Sequence, residues 1–358
     1  MSKKRVLVAM SGGVDSSVAA ASLKDQGFDV IGATMKIWPK EYCGRHKERS
    51  CCSLRDIEDA RRVCGVLDIK HYVLNFEKVF RKEVIDYFTQ EYMAGRTPNP
   101  CIVCNEKIKF GSLLKKAEAL ECDFIATGHY ARIERGDPCR LKESVDKAKD
   151  QSYVLSLLTP AQLQKTLFPL GEFKKTHVRK KAKAMGLGVH EKPDSQEICF
   201  VPGNKYSEFI KEHCGVGEKE GDIVDSSGKV LGRHKGFWNF TIGQRRGLGV
   251  SHREPLYVTA IIPEKNLIVA SEGSETKKKR FVVTDINWIS KKDVPDFETE
   301  VKIRYAHKKA RARVKVTGGS AAEVEFDEPQ KAITPGQAAV FYENEYVLGG
   351  GWIEKIIG

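Results

Sequence analysis

One short stretch near the start constrains the fold more than anything else in the chain. The apolar run RVLVAM (5–10) passes directly into MSGGVDSS (10–17), and this into a helical pattern from Val14 to Gln26 that Gly27 stops. A strand that ends in a double-glycine turn and feeds a helix aims backbone N–H groups at one point, because Gly12 and Gly13 permit conformations and close approaches that side chains would block. The N–H groups of Ser16 and Ser17 fall in the first helical turn, so the turn suits a phosphate. It lacks the Lys-Ser/Thr ending of a Walker loop and does not spell G-x-G-x-x-G, so neither a P-loop kinase nor a dinucleotide-binding Rossmann protein is indicated.

Further apolar runs follow, DVIGATMKI (29–37), HYVLNF (71–76) and CDFIATGHY (122–130), with helical patterns at Ser53 to Val66 and at 77–94. Strand then helix, repeated, predicts a parallel α/β sheet. RTPNPCIVC, with two prolines close together, reads as a loop. From about residue 205 short alternating runs take over (DIVDSSGKV, HKGFWNFTI, EPLYVTAIIPEKNLIVAS, FVVTDINWI, TEVKIRY, ARARVKV, AEVEFDE, AAVFY, YVLGGGW), the pattern of small β domains or a barrel. The basic run Thr276 to Arg280 reads as a boundary within this half. The expected organisation is an α/β nucleotide-binding and catalytic domain over 1–203, a small central domain over 204–275 and a β-barrel-like domain over 276–358.

Lys and Arg number 60 against 48 Asp and Glu, a formal charge of +12, which favours a polyanionic partner such as nucleic acid. Lys309, Arg311, Arg313 and Lys315 alternate with Ala310, Ala312, Val314 and Val316, so a strand would show four cations on one face, either to phosphates or simply to water. KKTHVRKKAK (174–183) and FTIGQRRGLG (240–249) are further basic stretches. No run approaches about 18 uninterrupted apolar residues, and the N-terminal apolar run is too short for a signal-peptide core. The expectation is a cytoplasmic protein without a membrane partner, its ten cysteines reduced.

Thiols in such a setting act as ligands or nucleophiles. Cys101 and Cys104 are spaced C-x-x-C, and Cys199 lies far downstream in DSQEICF. A zinc site, an iron–sulfur cluster with one iron left open, and a relay through persulfide and disulfide all suit these residue types. Cys64 and Cys122 read as buried core thiols, and Cys43, Cys51 and Cys52 with His46 do not have the spacing of a regular zinc finger.

Over Ser11 to Ser16 the chain resembles the PP-loop ATP pyrophosphatases, whose SGGxDS signature it matches without a departure. TPNPCIVCNEKIKFG (97–111), ATGHYAR (126–132), KDQSYVLSLL (149–158), KPDSQEICF (192–200), FTIGQRRGLG and PGQAAVFY (335–342) narrow the likeness to the tRNA-specific 2-thiouridylases of the bacterial MnmA type. That resemblance implies an ATP-dependent sulfurtransferase that joins AMP to the C2 oxygen of the wobble uridine in tRNAs for Lys, Glu and Gln, and then replaces that oxygen with sulfur. It implies ATP contacts at Ala9, Met10, Ser11, Gly12, Gly13, Val14, Asp15, Ser16, Met35 and Gly128, with Mg²⁺ accompanying the triphosphate and Asp15 a candidate to meet the ion. tRNA contacts are implied at Asn99, Pro100, Cys101, His129, Lys149, Asp150, Gln151, Arg304, Tyr305 and Gln337.

By the same resemblance Cys104 is the catalytic thiol and Cys199 receives sulfur as a persulfide. Where the common form of the family has Asp, this chain has Cys101, and a third thiolate is a better iron ligand than a carboxylate. The expectation is therefore an open [4Fe-4S] cluster on Cys101, Cys104 and Cys199, with the persulfide relay as runner-up, a sulfur-donor protein or free sulfide as source, and a monomer binding one tRNA. The rivals are a small-molecule PP-loop ligase or amidotransferase and a non-catalytic RNA-binding protein.

Overall fold

In the computed structural model, which describes residues 3–37, 54–194, 198–201, 203, 205–290 and 295–357, four of the predicted strands become β1 (Arg5–Ala9), β2 (Asp29–Lys36), β3 (Lys70–Asn75) and β4 (Phe124–Ala126). After a hairpin of β5 (Ala131–Glu134) and β6 (Arg140–Glu143), the short β7 (Thr166–Leu167) completes a five-stranded sheet of order β3-β2-β1-β4-β7, parallel throughout. Side chains of β1 alternate between two cores, as period two requires. Leu7 packs with helices 77–93 and 100–119, whereas Val6 and Val8 pack with Val14–Asp25, Leu54–Val66 and Lys175–Ala184. The strand order reverses between β1 and β4, and in open parallel sheets ligands bind at the carboxyl ends beside such a switch.

The central sheet has order β10-β11-β8-β9, from β8 (Gly221–Val224), β9 (Val230–His234), β10 (Leu256–Ile262) and β11 (Leu267–Glu272). HKGFWNFTI, expected as a strand, is mostly not one. Gly236 turns the chain at φ +140, and a side chain there would meet the Trp238 ring, so Phe237–Asn239 forms a 3₁₀ turn that buries Phe237 and Trp238.

Six strands close the last barrel: β12 (Lys277–Trp288), β13 (Asp296–Lys302), β14 (Ala310–Gly318), β15 (Ala321–Lys331), β16 (Ala338–Glu343) and β17 (Tyr346–Ile357), with β12 bonded to both β15 and β17. Closure leaves those strands no free edge. The basic run Thr276 to Arg280 leads into β12, the first strand of this barrel, where Arg280 pairs in register with Glu325. The hairpin β5–β6 joins this sheet through β17, with Tyr346 opposite Lys142 and Val347 opposite Leu141, so early and late parts of the chain share one sheet.

The basic face of β14 forms for three of the four cations expected: Ala312 and Val314 are buried and Arg311, Arg313 and Lys315 exposed, while Lys309 precedes the strand, half-buried beside Glu143 and Glu300. Its charge is met in place, however. Glu300, Glu298 and Asp296 on β13 stand opposite Arg311, Arg313 and Lys315, while Glu325 and Glu323 on β15 flank the last two, and Asp296 takes two 2.7 Å bonds from Arg313. Directly opposite residues share a face, so this is a ladder of opposite charges in water. Among the described residues no helix is long and apolar enough to cross a membrane.

RTPNPCIVC is only partly a loop. Pro100 takes the first position of a helix, where a missing N–H costs nothing, and Asn99 caps that helix by accepting a bond from the Ile102 N–H at 3.4 Å. Both later domains hold the stem leading into it. A side chain at Gly95, φ +72, would lie 2.8 Å from Cγ of Pro263 in the central domain. From the barrel, the Pro335 carbonyl accepts from the Thr97 N–H at 2.9 Å, and Gln337 Nε2 donates to the carbonyls of Thr97 at 2.8 Å and Pro98 at 3.3 Å. Gly95→Val combines backbone strain with that collision, so its urea unfolding free energy should fall by about 2–4 kcal/mol relative to the native chain; an unchanged midpoint would show that the stem is not clamped.

Candidate functional site

The glycine turn sits at the switch point, at the carboxyl end of β1. Gly12 has φ +70, and a Cβ there would lie 2.3 Å from the Asp56 carbonyl oxygen, so neither the turn nor its neighbour tolerates a side chain. Serines fix the turn from within: the Ser11 N–H donates to Ser16 Oγ at 3.2 Å, and Ser16 Oγ and Ser17 Oγ donate to the Gly13 carbonyl at 3.1 and 2.8 Å. Gly13 is the N-cap of Val14–Asp25, whose open N–H groups face the crevice as a phosphate site requires. Ala9 ends β1, Met10 is buried with its N–H on the Ala33 carbonyl, and Met35 lies near the carboxyl end of β2, on the same edge of the sheet. Gly128 leaves β4 against the first turn of that helix, where a Cβ would come within 2.7 Å of Ser16 N.

Asp15, the one acid of the turn, accepts from Lys175 Nζ at 2.8 and 2.7 Å and from the Tyr130 hydroxyl at 2.8 Å. Lys175, nearly buried, also pairs with Asp194 at 2.8 Å. Asp194 in turn is held by Lys149 at 2.8 Å and Arg179 at 2.9 Å. Burial opposes its charge, but the hydrogen bonds from Lys149 and Lys175, with their charges, outweigh burial and hold its carboxyl down at about 2. Two residues before it, Lys192 Nζ donates to the Gly12 carbonyl at 3.0 Å and to Asp56 and Asp59 at 2.6 and 2.9 Å. The strap that leads to Cys199 is thus tied to the glycine turn at both Lys192 and Asp194.

Cys199 is half-buried in a turn closed by the Val201 N–H on the Ile198 carbonyl. Its neighbour Phe200 is buried against Phe80 and Phe88 of helix 77–93, ring centroids 5.7 and 5.2 Å away. The helix bearing Cys101 packs on that same helix. Cys101 is exposed in its first turn, and half-buried Cys104 opens a π-helical stretch, Cys104–Ser112; such wide turns recur at functional sites. Cys104 and Cys199 therefore border one hydrophobic core. Among the described residues no three His, Cys, Asp or Glu side chains converge as a metal-holding group. Cys43, His46, Cys51 and Cys52 lie outside the described residues. Cys64 and Cys122 are buried as expected, and burial raises the Cys64 thiol to about 11, which makes it inert.

His129 is buried beside this helix. Burial, and then the charge of Lys109, hold it well below the usual imidazole range, so it is neutral at physiological pH. Lys109 Nζ, which can only donate, lies 3.5 Å from Nε2; Nδ1 therefore carries the proton and donates to Thr127 Oγ1 at 2.7 Å. Asp150 is committed to its own loop, accepting from the Ser144 N–H and the Ser152 hydroxyl, and Gln151 Oε1 accepts from the Tyr130 N–H. Tyr305 reaches over from the barrel, close enough to Asp150, Lys149 and Cys101 to feel their charges; its ring meets Tyr153 edge-on, and Lys302 sits over both rings. Arg304 donates to the carbonyls of Lys331 and Ala332.

Sequence reasoning missed Lys109, Tyr130, Lys175, Lys192 and Asp194. Lys175 was inside a basic stretch read as a phosphate-tracking or water-facing helix, and Lys192 and Asp194 stood in KPDSQEICF without a role. Only a charge placed next to a proline in that block could have singled out Asp194.

Three family models cover nearly the whole chain: a tRNA methyl transferase HUP domain over 4–203, a tRNA methyl transferase PRC-barrel domain over 207–272 and an aminomethyltransferase beta-barrel domain over 278–353. Among curated relatives, a tRNA-specific 2-thiouridylase MnmA of Caldicellulosiruptor saccharolyticus is 52% identical over 361 residues, 99% of each chain. Those of Carboxydothermus hydrogenoformans and Clostridioides difficile are 50% and 48% identical, covering 99% and 98% of this chain and 98% of each relative.

Because Asp194 is held below the usual carboxylate value of about 3.9, the stability it contributes is complete above about pH 4 and is lost as pH falls through about 2. Thermal melting should therefore find Asp194→Asn less stable than the native chain at neutral pH, with the gap narrowing as pH drops through that window. A gap that stays constant would contradict the ion network.

Proposed function

The chain belongs to the tRNA-specific 2-thiouridylase family, and from that premise we propose how its residues divide the reaction. It is an ATP-dependent tRNA sulfurtransferase that forms 2-thiouridine. Relatives near 50% identity across the whole chain set aside the small-molecule ligase and the non-catalytic RNA-binding protein. The family models carry a methyltransferase description, but a turn that receives a nucleotide and two thiols that border one core are equipment for thiolation.

The substrate atom is the C2 oxygen of the wobble uridine in tRNAs for Lys, Glu and Gln. That oxygen attacks the α-phosphorus of ATP, the α–β bridge breaks, and pyrophosphate leaves against the N–H groups of 12–16. Mg²⁺ is held by the triphosphate and by hard oxygen donors. Asp15, the carboxylate on the turn and now paired with Lys175, would help hold the ion, which would neutralise charge on the triphosphate oxygens. Lys109 lines the approach of the base with neutral His129 beside it, and its positive charge faces the oxygen that takes the electron pair as AMP departs. Asn99, Pro100 and Tyr305 shape the mouth around the flipped base, while Gln337, Asp150 and Gln151 hold the backbone that forms it.

Sulfur arrives at Cys199 as a persulfide when the Cys199 thiolate takes the outer sulfur of a donor protein's persulfide and the donor's own thiolate leaves. The terminal sulfur on Cys199 attacks C2, the C2–O bond breaks, and AMP leaves with the electron pair. The Cys104 thiolate then attacks Cys199 Sγ, which frees the thiouridine sulfur and leaves a Cys104–Cys199 disulfide that an external dithiol reduces with two electrons. A [4Fe-4S] cluster on Cys101, Cys104 and Cys199 would instead supply sulfide from its open iron, with these three thiolates as its ligands. The relay needs two thiols, and what supports it is that Phe200, next to Cys199, and the helix leading to Cys104 both pack on helix 77–93. A monomer in the cytoplasm completes it.

With tRNA, ATP, Mg²⁺ and a persulfide donor, AMP, pyrophosphate and 2-thiouridine should form in equal amounts. Cys104→Ser and Cys199→Ser should each lower 2-thiouridine at least about 1,000-fold while tRNA affinity stays within about twofold. Anaerobically purified protein, assayed for iron and sulfide, decides the sulfur route: full activity without iron upholds the relay, and activity that tracks iron content replaces it with the cluster.

A further inference from the structure

Lys302 is the last residue of β13, between buried Val301 and Ile303, so strand alternation turns it to the opposite side of the sheet. Its pairing with Val340 of β16 fixes where the side chain starts. From there Nζ lies 5.8 Å from the centroid of the Tyr153 ring and 5.9 Å from that of Tyr305, within reach of a cation–π contact with both. Lys302 makes no hydrogen bond and no ion pair among the described residues. For a lysine in water that would be ordinary, but Lys302 is half-buried, and an ammonium drawn out of water without a partner costs stability.

The neighbouring carboxylates are committed elsewhere. Asp150 accepts from the Ser144 N–H at 2.8 Å and from the Ser152 hydroxyl at 2.7 Å, and Glu143 pairs with Lys147 at 2.8 Å and Lys309 at 3.5 Å. Burial pulls the Lys302 ammonium below the ordinary lysine range; attraction by Asp150 and Glu143 offsets this only in part, and Lys309 repels it. The two rings it meets differ in how they are held. Tyr153 is fully buried and its hydroxyl donates to the Ala338 carbonyl at 2.9 Å, which makes it an anchor. Tyr305, in the turn after β13, is 45% exposed, and its hydroxyl has no hydrogen bond among the described residues. Its ring is located by an edge-on contact with Tyr153, centroids 6.3 Å apart, and by Lys302. A ring held by so little would, without the cation, sample several rotamers.

We propose that Lys302 is a positioning residue for the thiolation: its ammonium bridges Tyr153 and Tyr305 and sets the Tyr305 ring at the angle at which the target base meets it. A cation on one face of the ring leaves the opposite face for a base, and a ring fixed beforehand avoids the entropy loss of ordering it on binding. The inference rests on the RNA-substrate reading and adds the residue that prepares Tyr305; Lys302 itself touches no substrate.

The test is steady-state thiolation with tRNA and ATP varied separately, together with tRNA affinity by fluorescence anisotropy, on Lys302→Met, Lys302→Arg, Tyr305→Leu and the Lys302→Met, Tyr305→Leu double variant. Lys302→Met should raise KM for tRNA about fivefold and weaken binding by the same factor, with kcat and KM for ATP within about twofold; Lys302→Arg, still a cation over the rings, should restore both. Tyr305→Leu should cost about 10-fold, the scale of one base–aromatic stack. Adding Lys302→Met to it should cost nothing further, because a residue that acts through Tyr305 then has nothing to position. The melting temperature of Lys302→Met should match or exceed that of the native chain, since the variant removes an unpartnered, half-buried charge. Losses that multiply in the double variant, or a salt slope of binding reduced by about one in Lys302→Met, would make Lys302 a direct phosphate contact and overturn the proposal. So would an unchanged tRNA affinity, or a lower melting temperature with kcat lost alongside KM, the mark of a lysine needed only for folding. A native chain that binds tRNA but forms no 2-thiouridine would overturn the enzyme reading, whereas the affinity series judges Lys302 alone.

Discussion

A single buried ammonium, that of Lys175, joins the two halves of the chemistry. It is shared between Asp15 on the glycine turn and Asp194 on the strap that runs to Cys199. Water is nearly excluded from Lys175, so losing either carboxylate leaves a charge that the interior cannot solvate well, and the turn and the strap hold each other in place. Lys149 and Arg179 give the group one more cation than carboxylates, the right sign for a site that awaits a triphosphate. Because Asp15 shares Lys175 with Asp194, a change at the turn that draws Asp15 away from Lys175 is felt at Asp194.

The glycine turn and its sheet were legible because their signal is local. Two glycines between a strand and a helix have few alternatives, and β1 to β3 followed with boundaries displaced by a residue or so. The ion network was not legible, because Lys175 and Asp194 are charges whose default place is water and only the folded topology brings them to Asp15. RTPNPCIVC was misread for a different reason: proline breaks a helix from within but starts one well, and Asn99 supplies the cap that makes Pro100 a beginning. HKGFWNFTI misled because aromatic residues suit both strands and buried turns, and the conformation of Gly236 decides between them.

Net charge was a weaker guide than its distribution. The stripe on β14 was visible in the alternation of ARARVKV, but its neutralisation was not, since the acids that meet it come from β13 and β15. The Cys triplet shows the same limit: spacing named the thiols, while their surroundings, a π-helical turn and a phenylalanine cluster, determine which of them border a common core.

The hairpin β5–β6 hangs on β17, and Thr97 hangs on Pro335 and Gln337. On the ribosome, segments made early must therefore wait, unpaired, for segments made late. The nucleotide half can acquire its sheet first, but the mouth around Cys101 takes its final shape only when the distant strands emerge. Vectorial synthesis then builds in a delay: a nascent fragment able to grip ATP would still lack the means to spend it on RNA.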